Sequence, residues 1–502
     1  MKQMTEKEFL AYIKERELLK EANSLLYWDM ATGMPEKAAE QRSELMSYMS
    51  GLEYDLSYGD KMTDFMTHFT QHPEALSDFG QGVFLKEKES FERNNRIDKE
   101  RYLAFQKALG LAHSDWVKAR KTNNFQDFKE SLSSMISFTK EFIPLWQKDE
   151  ATPYDVLLNL YEPGMTVEIL DGVFEKLRKG IIEIRNTIAE KGTPPETDFL
   201  YRKVTKAQQQ KFIEKVIADL GYDMSRGRLD DTIHPFELTL NHNDVRLTTR
   251  WDEEDFQTAV FGVIHEAGHG LYEQNIDAKY SYTPLATGTS MGCHESQSLF
   301  NEIIIGGSRA FWQKQYPYFQ EVTEGTFDDI DFDRFYRGLK VTQGSLIRIE
   351  ADSLTYPLHI IIRYEIEKMI FNDNIDLDDL PQIWNDKYEE YLGIRPETDL
   401  EGILQDSHWS GGSFGYFPSY ALGFMYAAQF YHRMNQALDV EAVLGSDDYS
   451  PIIQWNKEHI HQYGASRKPN QLILEATGET MNPQYLLDFM KHMYFDAYQI
   501  EY

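Results

Sequence analysis

The residues best suited to chemistry lie together at His265-Glu266-Ala267-Gly268-His269. In a helix, side chains four apart leave the same face one turn apart, so both imidazoles can reach one ion. Glu266 falls on the adjoining face, where it can take a proton from a metal-bound water without displacing it. The apolar stretch Ala259-Val-Phe-Gly-Val-Ile264 runs straight into the motif. This argues against two histidines decorating a solvated face, because a buried helix carrying His, Glu and His without partners is costly. Gly268 and Gly270 thin the helix where something must approach.

Two histidines leave room for a third protein ligand and one open position. A metzincin continues with a glycine and a third histidine, but Tyr272 and Asn275 occupy those places, which excludes that class. The nearby acids are Glu273, Asp277, Glu295 and Glu302. Glu273 is one turn beyond His269 and would have to reach the metal along its own helix. Glu295 stands in Gly292-Cys-His-Glu-Ser-Gln-Ser298, just ahead of the apolar run Leu299 to Ile305. A glutamate on a second, crossing helix completes a tetrahedral site, so Glu295 is the expected ligand; a salt bridge near a helix start is the competing reading. His294 is expected to support the site rather than bind the ion. The expected ion is Zn2+, one per chain, with Co2+ or Mn2+ able to occupy similar ligands.

The elements that must position these groups are mostly helical. Apolar residues recur at three- and four-residue spacing over 84–111, 167–191 and 206–220. One segment departs from this: 236–240 and 244–250 alternate and carry β-branched residues, with Asn241-His-Asn243 between them, which predicts a β-hairpin. Asp252-Glu-Glu-Asp255 then supplies the acids favoured at a helix N-terminus.

The 502 residues, 41% hydrophobic and 14% aromatic, can bury a large core. With 51 basic against 82 acidic residues the formal charge is −31, which disfavours nucleic acid and anionic membrane surfaces as partners. A single cysteine, Cys293, permits no intrachain disulfide and favours a reducing compartment. The first twenty residues lack the apolar core of a signal peptide, and no apolar run approaches the roughly 20 residues that span a bilayer. A cytoplasmic protein is expected.

The chain resembles the carboxypeptidase Taq family of metallocarboxypeptidases. The resemblance is carried by Asp244-Val-Arg-Leu-Thr248, His265 to His269, His294-Glu-Ser-Gln297, Ile347-Arg-Ile-Glu-Ala-Asp352 and Gly402-Ile-Leu-Gln-Asp-Ser-His-Trp409, and by the opening segment Trp28 to Pro35. It implies a mainly α fold: a large, two-lobed helical body over residues 1–502 forming one catalytic unit, with a deep groove and a small antiparallel sheet beside the metal helix. It also implies release of single residues from peptide C-termini, often by a homodimer.

Such an enzyme must grip a free carboxylate, for which the planar fork of an arginine is suited. Arg348, in an apolar run read as helical, and Arg246, on the hairpin, are the candidates. The competing readings are simple pairing with Asp352 and with Asp244. An oxyanion needs a donor beside the metal, and Tyr420, Tyr416 and His408 sit in a Gly- and aromatic-rich stretch able to supply one, Tyr420 being preferred. The expected activity is a zinc carboxypeptidase acting on peptides, with Glu266 activating the water. The alternatives are an endopeptidase or dipeptidyl carboxypeptidase with the same site, or a non-catalytic, metal-stabilised peptide-binding protein.

Overall fold

Helix starts follow the residue types that stand there. In the computed structural model, which describes residues 4–501, the side chains of Thr5, Asp98, Thr166, Thr205, Asp255 and Ser290 each accept a backbone N–H of the turn they open. The stretches expected at 167–191 and 206–220 are the helices Val167–Lys191 and Lys206–Asp219. The stretch expected at 84–111 is two helices, Asp78–Asn95 and Lys99–Thr122. Asp98 accepts the amides of Glu100 and Arg101 and so starts a new helix inside an unbroken apolar periodicity.

The hairpin forms as β2 (Glu237–Asn241) and β3 (Asp244–Thr249), after a strand β1 (Gly227–Asp231) that the pattern did not announce. β1 pairs parallel to β3, so the sheet is mixed, with order β1-β3-β2, rather than antiparallel throughout. The sequence of β1, Gly-Arg-Leu-Asp-Asp, has no apolar alternation; its strand state comes from the exposed edge of β3. The Thr248 amide donates to the Phe236 carbonyl (3.0 Å). That bond sets the phase of the ladder: 236 and 238 face β3, while Glu237 and Thr239 turn their main chain to the outer edge of β2.

The N-terminal helix Glu6–Thr32 lies across this edge. Trp28 and Tyr27 pack on Phe236, with ring centroids 5.7 and 5.9 Å apart, and Glu21 accepts the Asn241 amide (2.8 Å). Behind the sheet, Phe256, at the start of helix Phe256–Asn275, is packed among Phe319, Phe327 and Phe335. This buried aromatic cluster fixes the beginning of the helix that carries both histidines. Helix Met291–Leu299, continued by a π-helical turn at Phe300–Ile305, crosses it, and helix Pro418–Ala437 packs on the far side of the crossing helix.

Candidate metal centre

The crossing depends on a glycine. A Cβ on Gly268 would stand 2.3 Å from the Gln297 carbonyl oxygen, so the two helices meet backbone to backbone beside His269. Gly270 has a different neighbour, the Tyr222 ring, 2.8 Å from where a Cβ would be. With the helices this close, Glu295 faces the histidines. His265, His269 and Glu295 each present one ligand atom, all within 4.8 Å of one another. The Glu295 carboxylate lies 3.4 Å from His269 Nε2 and 3.8 Å from His265 Nε2. These separations suit an ion between the groups better than direct contacts.

The outer nitrogens are engaged elsewhere. His265 Nδ1 lies 2.7 Å from Glu302, which stands in the π-helical turn that continues the crossing helix. His269 Nδ1 lies 2.6 Å from His294 Nδ1, and His294 Nε2 is 2.9 Å from the buried Glu273. In the assignment that satisfies this chain, His269 donates to His294 and His294 donates to Glu273, which leaves the Nε2 lone pair of His269 for a metal. Glu302 accepts from His265 and orients it in the same way. The donor set therefore fits a divalent ion of the zinc type.

Glu266 is buried beside these groups, and burial first, then Glu295 and Glu302, push its carboxyl up to about 7 against the pull of His265. The Glu237 backbone N–H, on the outer edge of β2, acts in the opposite direction. Glu295 is held at about 2: burial opposes its charge, but His265 and His269 outweigh that. Glu273 is not a metal ligand here. It accepts from His294, from the Gly288 amide (3.0 Å) and from the Thr287 hydroxyl (3.3 Å).

Tyr420 opens helix Pro418–Ala437, and its hydroxyl lies 3.3 Å from His408 Nε2. Burial, then the neighbouring Tyr416 and Tyr356, raise its pKa, so it stays a proton-bearing donor. Burial lowers His408 to about 4, which keeps it neutral. Arg348 stacks 5.1 Å from the Tyr420 ring. It sits in a single 3-10 turn, Arg348–Glu350, inside an irregular segment rather than in the expected helix. Its partner is Asp406, reached from Nε (3.0 Å) and Nη2 (2.8 Å), and not Asp352, which accepts from the Thr355 hydroxyl (2.9 Å) instead. Nη1 meets the Tyr356 hydroxyl. Asp406 also accepts from the fully buried Arg363 (2.6 Å), and against burial the two arginines hold its carboxyl below the ordinary range. Gln405 completes the knot: its carbonyl accepts from the Arg348 amide and from Arg363, and its amide donates to Leu346, Glu401 and Gly402 carbonyls.

Arg246 pairs with Asp244, as the competing expectation had it, and this pairing leaves its Nη1 unused. Its Nε and Nη2 donate to the two oxygens of Asp244 (2.7 Å each), and its guanidinium lies over Trp28. Sequence reasoning considered Glu302 only as a ligand and did not find Arg363 or Tyr356. Asp406 and Gln405 stand in the Gly402 to Trp409 motif, but their arginine partners lie more than forty residues away.

A histidine pair with an intervening glutamate, closed by a glutamate from a crossing helix in a helical body, is the layout of a metal-dependent peptide hydrolase. A model of the carboxypeptidase Taq (M32) metallopeptidase family matches residues 8–494, and the chain belongs to that family. It is 44% identical to carboxypeptidase 1 of Bacillus subtilis strain 168 over 494 residues, covering 98% of each chain. It is 32% identical to thermostable carboxypeptidase 1 of Thermus thermophilus, covering 97% of this chain and 98% of that one. Among solved structures it is similar to the M32 carboxypeptidase of Deinococcus radiodurans R1, with TM-score 0.94 at 32% identity, covering 98% of this chain and 99% of that one. The protein is accordingly a metallocarboxypeptidase, and its family implies a divalent metal. No helix among the described residues is long and apolar enough to cross a membrane.

Proposed function

We propose that the chain acts as a single catalytic unit that removes one residue at a time from peptide C-termini, with His265, His269 and Glu295 holding zinc. The observation that carries this reading is the convergence of three lone-pair donors beside the buried Glu266. His265, His269 and Glu295 would hold a divalent ion there, and bound it would supply Lewis acidity and lower the pKa of water. Arg348 takes the substrate carboxylate through the Nη protons that Asp406 and Tyr356 leave unused. Glu266 accepts the proton of the attacking water and passes it to the leaving amine, a task open to a buried carboxylate beside the three donors. Tyr420, backed by His408, donates to the developing oxyanion.

The full-length resemblance to named carboxypeptidases supports exopeptidase action, and zinc as the resident ion and a homodimer belong to the same proposal. The lone Cys293 supports a cytoplasmic setting. The test is digestion of a mixed peptide set followed by mass spectrometry, with metal content measured on the same sample. A ladder of single-residue C-terminal losses that stops on chelation is expected; internal fragments or paired-residue losses overturn the reading.

A further inference from the structure

The stretch that carries His408, Tyr416 and Tyr420 is held from behind by one helix. Helix Tyr356–Lys368 turns Tyr356, Arg363 and Glu367 to the same face, since they stand seven and then four residues apart. Tyr356 meets Arg348, and Arg363 reaches Asp406 and Gln405. Glu367, fully buried, continues the row. Its Oε1 accepts the Trp409 indole N–H (2.8 Å), and its Oε2 accepts the Gly415 amide (2.8 Å) and the Tyr154 hydroxyl (2.7 Å). One carboxylate thus holds the residue after His408 and the residue before Tyr416.

The loop between these two points takes part of its shape from that carboxylate. From Ser407 to Ser413 the chain turns on itself, the Ser413 amide donating to the His408 carbonyl (2.9 Å). Gly415 has φ +88°, and a Cβ there would stand 2.6 Å from the Leu157 carbonyl oxygen, so the loop lies hard against helix Pro153–Tyr161. The His408 imidazole does not fix itself. Its Nδ1 is buried with no hydrogen-bond partner among the described residues, 3.9 Å from Asp406, and the ring packs on Phe417 and Tyr416 with centroids 4.3 and 5.6 Å away. Its setting toward Tyr420 therefore follows the main chain on either side. Burial pushes the Glu367 carboxyl up to about 7, against the pull of its three donors. A protonated Oε2 can donate to the Tyr154 oxygen and still accept from Gly415, so both bonds to the loop survive in either state.

We propose that Glu367 is a positioning residue for the oxyanion donors: by holding Trp409 and Gly415 on its two oxygens, it fixes the spacing of His408 and Tyr416 around Tyr420. The proposal rests on the reading above in which Tyr420, backed by His408, meets the developing oxyanion. Glutamine cannot take this place. Its single oxygen leaves either the indole or the amide facing its NH2 group, so one end of the loop is released whichever way the side chain is turned. The carboxylate grip at Arg348 keeps Asp406, Tyr356 and Gln405. Loss of the clamp should therefore fall on the reacting state and not on substrate binding.

The test uses the metal-loaded enzyme and one N-blocked dipeptide substrate. Glu367→Gln should lower kcat on the order of ten- to a hundredfold, with KM within about twofold of wild type. A phosphinate analogue of the same dipeptide, whose tetrahedral centre carries the charge of the reacting state, should lose affinity by the same factor. Trp409→Phe removes only the indole bond. It should lower kcat less, roughly three- to tenfold, at unchanged KM, and it decides the matter where Glu367→Gln does not fold. Tyr154→Phe takes away the one donor that lies outside the loop, and should lower the Tm while keeping kcat. An unchanged kcat in Glu367→Gln or in Trp409→Phe, a loss expressed in KM, or a kcat loss in Tyr154→Phe as large as that in Glu367→Gln overturns the clamp. Tyr420→Phe separates the underlying reading: wild-type kcat in that variant overturns the donor assignment itself, and the clamp with it.

Discussion

Gly423 stands directly behind Glu295: a Cβ on Gly423 would lie 2.7 Å from Glu295 Cγ and 2.9 Å from its Cβ. The glutamate is thus pressed toward the histidines by the backbone of the helix that also carries Tyr420, one turn earlier. In an open helix, alanine in place of glycine stabilises by up to about 1 kcal/mol, while overpacking costs about 1–3 kcal/mol. Gly423→Ala should therefore lower the Tm and weaken metal binding by roughly tenfold. Gly172 is the control. It is also helical, nothing lies within 4 Å of its Cβ position, and Gly172→Ala should raise the Tm slightly. Melting curves and metal titration of both variants check the pair.

Glu266→Gln keeps the volume of the side chain and removes its ability to accept a proton. Turnover should fall by about 10²–10⁴-fold or more, with metal affinity close to wild type. Retained activity would remove Glu266 from its role.

Glu302 touches no expected substrate atom, yet it is the partner of His265 Nδ1. Glu302→Ala should weaken metal binding by about 10–100-fold, read by competition with a chromophoric chelator. His294→Ala should do the same through His269. Excess metal should restore activity in both variants if the loss is one of affinity.

Asp406 gives a pH signature. Its carboxyl is held below the ordinary range by Arg363 and Arg348. A depressed folded-state pKa means stability that is present above the ordinary carboxyl pKa and is lost as pH falls toward the folded value. Asp406→Asn should cost roughly 3–5 kcal/mol at pH 7, since it leaves two buried guanidinium groups under-compensated. The Tm gap between wild type and variant should hold level down to about pH 4, the ordinary carboxyl range, and narrow as pH falls from about 4 toward 2. A gap that stays constant over that range would contradict the ion-pair account.

The convergence of His265, His269 and Glu295 was legible in the sequence because its signal is local. His265 and His269 share one helical turn, and Glu295 opens the next apolar helix. The β2–β3 hairpin was legible for the same reason, two alternating runs around a turn. β1 was not, because its five residues are strand only through the main chain of β3. The partner of Arg348 was not legible either. Asp352 is four residues away and Asp406 fifty-eight, and only the folded path of the segment decides between them. The same holds for Glu302, whose meeting with His265 depends on the π-helical turn between Phe300 and Ile305.

Gln405 binds the stretch bearing Arg348 to the stretch bearing His408 through bonds at both ends of its amide. The proposed grip on the substrate carboxylate and the proposed support for the oxyanion donor are thereby tied to each other by side-chain bonds. Whatever breathing of the molecule admits a peptide, Arg348 and His408 should move as neighbours while Gln405 keeps those bonds.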